Sequence, residues 1–143
     1  MGAKRTVSVA NSLVFFGFMG AGKSTAARAA AEQLGSQPID TDELLEAEFG
    51  CSIAEFFERH NEAEFREREA ELVVRVLGES DGQPVSLGGG AVLSSAVQEA
   101  LSGHTAVLLE VDEEVAWKRV SRSDRPLRSE ERRVGKECLR LCR

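Results

Sequence analysis

A chain of 143 residues, 42% hydrophobic and 29% charged, is long enough for one domain with a core of its own. Its formal net charge of −6 argues against general nucleic-acid affinity, and no apolar run approaches the length of a membrane span. Three cysteines, Cys51, Cys138 and Cys142, are too few for a disulfide framework, and Cys138-x-x-x-Cys142 lacks neighbouring ligands for zinc, so a cytoplasmic protein with reduced thiols is expected.

Residues 1–12, MGAKRTVSVANS, carry basic residues with no apolar core behind them and read as a disordered leader rather than a secretory signal. Met1-Gly2 with Thr6 fits a loose myristoylation pattern too short to outweigh that reading. Leu13–Phe18 is continuously apolar, as a strand buried on both faces of a parallel sheet is. Gly22 to Leu34 reads as a helix of good formers ending at Gly35. Pro38-Ile39-Asp40 is a short second strand, and Thr41 or Asp42 is placed to cap a helix carrying Leu44, Leu45 and Phe49, stopped by Gly50.

Ser52-x-x-Glu55 is a capping-box pattern before Phe56 and Phe57. Residues 61–77 read as a long charged helix with Glu62–Arg66, Glu64–Arg68 and Glu71–Arg75 at favourable i,i+4 spacing. After a loop from Gly78 to Pro84, Val85-Ser86-Leu87 is a third strand running into Gly88-Gly89-Gly90. Ser94 or Ser95 opens a short helix to Leu101, and Thr105–Val111 is a fourth strand. Asp112 caps a helix in which Trp117 is expected to pack with Val115 and Val120. Strands alternating with helices imply an α/β fold built of right-handed βαβ units around a parallel sheet.

Gly17-x-x-x-x-Gly22-Lys23-Ser24, between a buried strand and a helix, is a phosphate cradle. Glycine lets backbone N–H groups turn inward around phosphate oxygens, and the following helix adds its N-terminal partial charge. Lys23 is placed to reach the β- and γ-phosphates, and Ser24 to offer a hydroxyl to Mg²⁺. Asp40-Thr41-Asp42 lies at the C-terminal end of the second strand, the edge that faces the ligand crevice in open α/β sheets. One carboxylate there suits a magnesium-bound water and another an acceptor hydroxyl; helix capping by Asp42 is the competing reading. Gly88-Gly89-Gly90 admits a ligand close to the backbone, or is a plain turn. Taken alone, Arg66 in EFREREAE reads as a solvated helix face, and Arg125-Pro126 as either a lid arginine or a surface loop. His60 and His104 have no partners at metal or triad spacing and read as surface or loop residues.

In this order and spacing, GFMGAGKST, IDTDELLE, SIAEFFERHNEAEFREREAE, SLGGGAVL and SDRPL resemble the shikimate kinases, over Leu13 to about Leu127. The resemblance implies a three-layer α/β/α P-loop kinase fold with a five-stranded parallel sheet. It implies ATP-dependent phosphorylation of the 3-hydroxyl of shikimate, a step in aromatic amino-acid biosynthesis, by a monomer with no nucleic-acid or membrane partner. By position it assigns Gly20, Ala21, Gly22, Lys23, Ser24 and Thr25 to the ATP phosphates, and Ser24 with Asp40 to Mg²⁺. Asp42 would bind and activate the acceptor hydroxyl, Arg66 would pair with the shikimate carboxylate, and Gly88, Gly89 and Gly90 would line the same pocket. Arg125 would be the lid arginine over the transferring phosphoryl group, and Arg119 a weaker candidate for stacking on adenine. Another small P-loop kinase, such as a gluconate kinase, and a catalytically inert nucleotide-binding fragment are the alternatives.

The resemblance stops at Arg128. Residues 128–143 carry six Lys/Arg and three Asp/Glu, against the acidic balance of the rest. RSEERRVGKEC resembles the in-frame translation of a sequencing adapter, so 128–143 is expected to be a non-native tail on an incomplete kinase domain, 13–127, that lacks its last strand and terminal helix. Thr105–Val111 would then form an exposed apolar edge.

Overall fold

The computed structural model describes residues 11–18 and 20–121. The leader through residue 10, Met19, Arg125 and the 128–143 tail lie outside the described residues. Four strands, β1 (Leu13–Gly17), β2 (Ile39–Asp40), β3 (Val85–Ser86) and β4 (Thr105–Leu109), make one sheet in the order β2-β3-β1-β4. Every pairing is parallel, with Val14 opposite Val85 and Ala106, and Asp40 opposite Ser86. β3 closes one residue before Leu87, where the sequence pattern places its end, although the Leu87 N–H still donates to Phe15 O at 3.0 Å. β4 ends at Leu109 rather than Val111 and forms one edge of this sheet, with Thr105 and Ala106 exposed.

Helix α1 (Lys23–Leu34) packs on β1 and β3 and ends at Gly35, whose left-handed conformation (φ 64°) returns its N–H to Ala31 O and Glu32 O. α2 (Thr41–Phe49) follows β2 with no intervening loop. Its cap is therefore the last strand residue, Asp40, and not Thr41 or Asp42: Asp40 Oδ1 accepts from Asp42 N–H at 3.0 Å and Glu43 N–H at 3.4 Å. α3 (Ile53–Arg59) has the Ser52/Glu55 capping box, and α4 (Glu62–Glu79) is capped by Asn61. Of the three pairs expected along α4, Glu62–Arg66 forms at 3.5 Å. Glu64 instead binds His60, four residues earlier at the end of α3, at 2.8 Å, and Arg75 reaches across to Glu48 of α2. A short 3-10 turn (Ala91–Leu93) precedes α5 (Ser95–Leu101), and α6 (Glu113–Ser121) starts where Asp112 Oδ1 accepts from Glu114 N–H at 3.0 Å.

Strand alternation divides β1 between two layers. Val14 and Phe16 join Leu45, Phe65, Leu72, Val73, Leu77, Val85 and Leu87 in the main core beneath α2, α4 and α5. Phe15 points the other way, and Ala27 and Ala31, one turn apart, are buried where α1 meets the sheet. The result is an α/β fold with helices on both faces of a parallel sheet. Phe49, Phe56, Phe57 and Phe65 form an aromatic cluster joining α2, α3 and α4, with Phe49 stacked on Phe56 at 4.0 Å between ring centroids. His60 is exposed, as expected, and stacks on Phe56, while His104 Nδ1 accepts from Ser12 N–H at 3.1 Å. Trp117, expected to pack, is 42% exposed. No helix among the described residues is long and apolar enough to cross a membrane.

Candidate active site

The C-terminal ends of β1, β2 and β3 bring two loops and the start of α2 to one side of the sheet, where a strand order of 2-3-1-4 opens a crevice. The first loop follows β1. A Cβ on Gly17 (φ 145°) would lie 2.5 Å from the Leu109 carbonyl oxygen, so the close approach of β1 to β4 requires glycine there. Gly20 and Gly22 also take positive φ, 84° and 91°, and Ala21 N–H closes the turn on Phe18 O at 3.1 Å. Gly20, Gly22, Lys23, Ser24 and Thr25 line a cavity of about 510 Å³. Lys23 Nζ donates to Gly17 O at 3.0 Å, folding the ammonium back over the loop.

β2 supplies Asp40. Its Oδ1 caps α2, which fixes the carboxylate, and its Oδ2 accepts the Ser24 hydroxyl at 2.8 Å. The Ser86 hydroxyl, one strand over, is 3.5 Å from Ser24 Oγ. Residues 16 apart in sequence thus place two hard oxygen donors side by side at the cradle, a set that suits magnesium, which binds few protein ligands and keeps several waters. Among the described residues no group of three or more His, Cys, Asp or Glu side chains is gathered as a metal cluster.

The far wall is built around the triple glycine. Thr41, fully buried, donates to Ser86 O at 3.1 Å and accepts from Gly88 N–H at 3.2 Å, tying the loop after β3 to the start of α2. A Cβ on Gly88 would lie 2.7 Å from both Asp42 Oδ1 and Glu69 Oε1, and one on Gly90 would overlap the Arg66 guanidinium. The glycines therefore leave room for the protein's own charged side chains as well as for a ligand. Arg66, read from sequence as a solvated helix face, is 26% exposed and lines the cavity; Nη1 donates to Glu69 Oε2 at 2.7 Å and Nη2 to Glu62 Oε1 at 3.5 Å. Glu69 is 2% exposed, and burial pushes its carboxyl up to about 7, with the Arg66 charge and hydrogen bond pulling against that rise and Asp42 adding to it. Ile53, Ala54, Phe57 and Phe65 make the apolar side, and Glu46, whose Oε1 accepts from Ile53 N–H at 3.1 Å, holds the start of α3 beside it.

Lys23, Ser24, Asp42, Arg66 and Gly88–Gly90 thus meet around one cavity; Asp40 does not line it but is hydrogen-bonded to Ser24, which does. Arg119 belongs to α6, and Arg125 lies outside the described residues. Glu69, Ser86, Glu46 and Phe57 also line the cavity and are not among the residues that the sequence assigns to the site. Glu69 had a signal, since it follows Arg66 by three residues on a helix; Phe57 had none beyond an apolar pattern.

A family model described as shikimate kinase matches residues 19–142, which includes most of the stretch set apart above as a tail. The chain belongs to the shikimate kinase family. The shikimate kinase of Mycobacterium marinum is 45% identical over 120 residues, which cover 83% of this chain and 65% of that protein. That of Ruegeria pomeroyi is 42% identical over 120 residues, covering 81% and 60%. The chain therefore spans less than two thirds of the length of these curated shikimate kinases. Among solved structures, shikimate kinase from Acinetobacter baumannii in complex with shikimate superposes with a TM-score of 0.77 at 29% identity, covering 93% of this chain and 76% of that one. The shikimate kinase of Aquifex aeolicus gives 0.73 at 30% identity, covering 88% and 78%. A gluconokinase from Sinorhizobium meliloti 1021, at 19% identity and a TM-score of 0.53, shares the fold alone.

Proposed function

We propose that the chain is a shikimate kinase in activity as well as family, transferring the γ-phosphoryl group of ATP to the 3-hydroxyl of shikimate in aromatic amino-acid biosynthesis. The observation that carries the reading is the convergence of Arg66 and Asp42 on the triple glycine, across one cavity from Lys23 and Ser24. A small polyhydroxy carboxylate needs a cation for its carboxylate and an acceptor for its hydroxyl. That pairing favours shikimate over gluconate, and the relative in complex with shikimate supports it.

In this reading the backbone from Gly20 to Thr25 cradles the ATP phosphates, and Lys23 leaves Gly17 O to follow the β- and γ-phosphates. Ser24 and Asp40 would hold Mg²⁺, which when bound neutralises phosphate charge. Arg66 pairs with the substrate carboxylate and fixes the ring against the backbone of Gly88, Gly89 and Gly90. Asp42 orients the 3-hydroxyl in line with the γ-phosphorus and accepts its proton as the new P–O bond forms and ADP leaves. Arg125 and Arg119 are assigned by the family resemblance alone, to the phosphates and to adenine respectively. The enzyme is proposed to act as a monomer in the cytoplasm.

The test is ADP formation that depends on shikimate. Asp42→Asn and Arg66→Ala are expected to lower kcat/KM by about two orders of magnitude or more. Full activity in both variants, or turnover on gluconate but not shikimate, would overturn the assignment.

A further inference from the structure

Glu69 has no role in the mechanism above, yet among the described residues it is the one buried charged side chain, and it sits in the wall of the candidate site. Its Oε2 accepts from the Arg66 guanidinium at 2.7 Å, and its Oε1 lies against Gly88 beside Asp42 Oδ1. The charged groups acting on it are Arg66 and, through Arg66, Glu62 from α4; Asp42 from α2; and Lys23 at the start of α1, while Glu46 of α2 lines the same cavity. The loop from Gly88 to Gly90 contributes no ionisable side chain.

We propose that Glu69 takes up a proton from solvent when a carboxylate substrate binds at Arg66, so that the affinity of the site for shikimate is linked to pH. This inference rests on the proposed substrate. Before binding, the Arg66 guanidinium is already shared by two carboxylates, Glu69 and Glu62. An arriving substrate carboxylate adds another negative charge to the same cation and draws on the same fork of N–H donors. Three carboxylates around one guanidinium do not all stay ionised without a marked rise in the pKa of one of them. The substrate carboxyl is the stronger acid, and Glu62 is 30% exposed, whereas Glu69 is buried with its carboxyl already raised to about 7. Glu69 is therefore the group that accepts the proton. Protonated, it keeps an acceptor oxygen for Arg66 and gains an O–H to donate. Arg66 is thereby released from a buried counter-charge and offers its full charge to the substrate.

The experiment is calorimetric titration of shikimate into the nucleotide-free, metal-free chain at pH 7.5, in buffers of different ionisation enthalpy, repeated from pH 6.5 to 8.5. The wild type is expected to take up about half a proton or more per shikimate bound, with Kd weakening by up to about tenfold per pH unit above pH 7. Glu69→Gln, which keeps the shape and removes the charge, is expected to bind with a Kd flat across that range and without that proton uptake. Wild-type binding whose heat is independent of buffer would overturn the inference and leave the substrate reading standing, as would the same proton uptake in Glu69→Gln. Absence of binding in every buffer would overturn the substrate reading, and this inference with it. The wild-type titration decides the matter even if the variant fails to fold.

Discussion

Replacing Gly90 by alanine separates the integrity of the fold from that of the substrate wall. Gly90 has φ −104° and ψ −2°, a conformation alanine adopts without strain, and the loss of glycine's freedom in the unfolded chain stabilises by about 0.4–1 kcal/mol. The new Cβ would overlap Arg66 Nη1 and lie 2.5 Å from Cζ, so the guanidinium must retreat by roughly 1.5 Å to reach ordinary contact distance. It is the end of a flexible side chain and can move, but the move breaks its 2.7 Å hydrogen bond to Glu69, a charge-assisted bond worth about 1.5–3 kcal/mol. The net destabilisation is then about 0.5–2.5 kcal/mol, a fall in Tm of no more than about 10 °C. The substrate carboxylate loses its placed guanidinium, at about 2–4 kcal/mol, or roughly 30-fold to nearly 1000-fold in shikimate affinity. Nucleotide affinity should stay within about twofold, because the cradle belongs to a different loop. Titrations of shikimate and of ADP, with a thermal melt of the same preparation, test all of this. A folded Gly90→Ala protein that binds shikimate within about threefold of wild type would refute the placement of Arg66 as the carboxylate partner.

Gly17→Ala should behave in the opposite way. With φ at 145° and a backbone carbonyl 2.5 Å from the new Cβ, neither side can yield, and a loss of about 3 kcal/mol or more is expected in urea unfolding; stability within about 1 kcal/mol of wild type would contradict the close approach of β1 and β4. Stability should also fall as pH rises from about 4.5 to about 7, because Glu69 binds its proton more tightly folded than unfolded, so the unfolded chain holds fewer protons in that window. The contribution is on the order of 3 kcal/mol at most, and parallel stability curves for wild type and Glu69→Gln over pH 4.5–7.5 would remove it. Leu72→Ala, at a side chain 1% exposed in the main core, should lower unfolding free energy by about 2–5 kcal/mol in the same urea assay. Ser52→Ala removes the acceptor for Glu55 N–H at 3.1 Å and should cost about 1 kcal/mol, read as a shift of the denaturation midpoint with unchanged slope.

The order of strands and helices, the phosphate loop and the capping box at Ser52 were all legible in the chain. Each is set by neighbours a few residues apart: an apolar run, a glycine spacing, a serine three residues before a glutamate. Element ends were less legible where two elements abut. Asp40 became the cap of α2 because the strand runs straight into the helix, a fact of backbone geometry that no residue type announces. The cradle residues could be named from sequence, but the bond between Ser24 and Asp40 required β2 and β1 to be brought to one side of a sheet with β3 between them. Arg66 shows the limit most plainly. Its surroundings in sequence are a run of alternating charges, the pattern of a solvated helix, and resemblance alone singled it out. Folding turns that face of α4 onto the triple glycine, where the absence of side chains at Gly88 and Gly90 makes space for Arg66, Glu69 and Asp42 together. The burial that raises the Glu69 carboxyl comes from α2, α4 and the loop after β3 meeting there, and sequence-local patterns carry no record of which helix faces will close on one another.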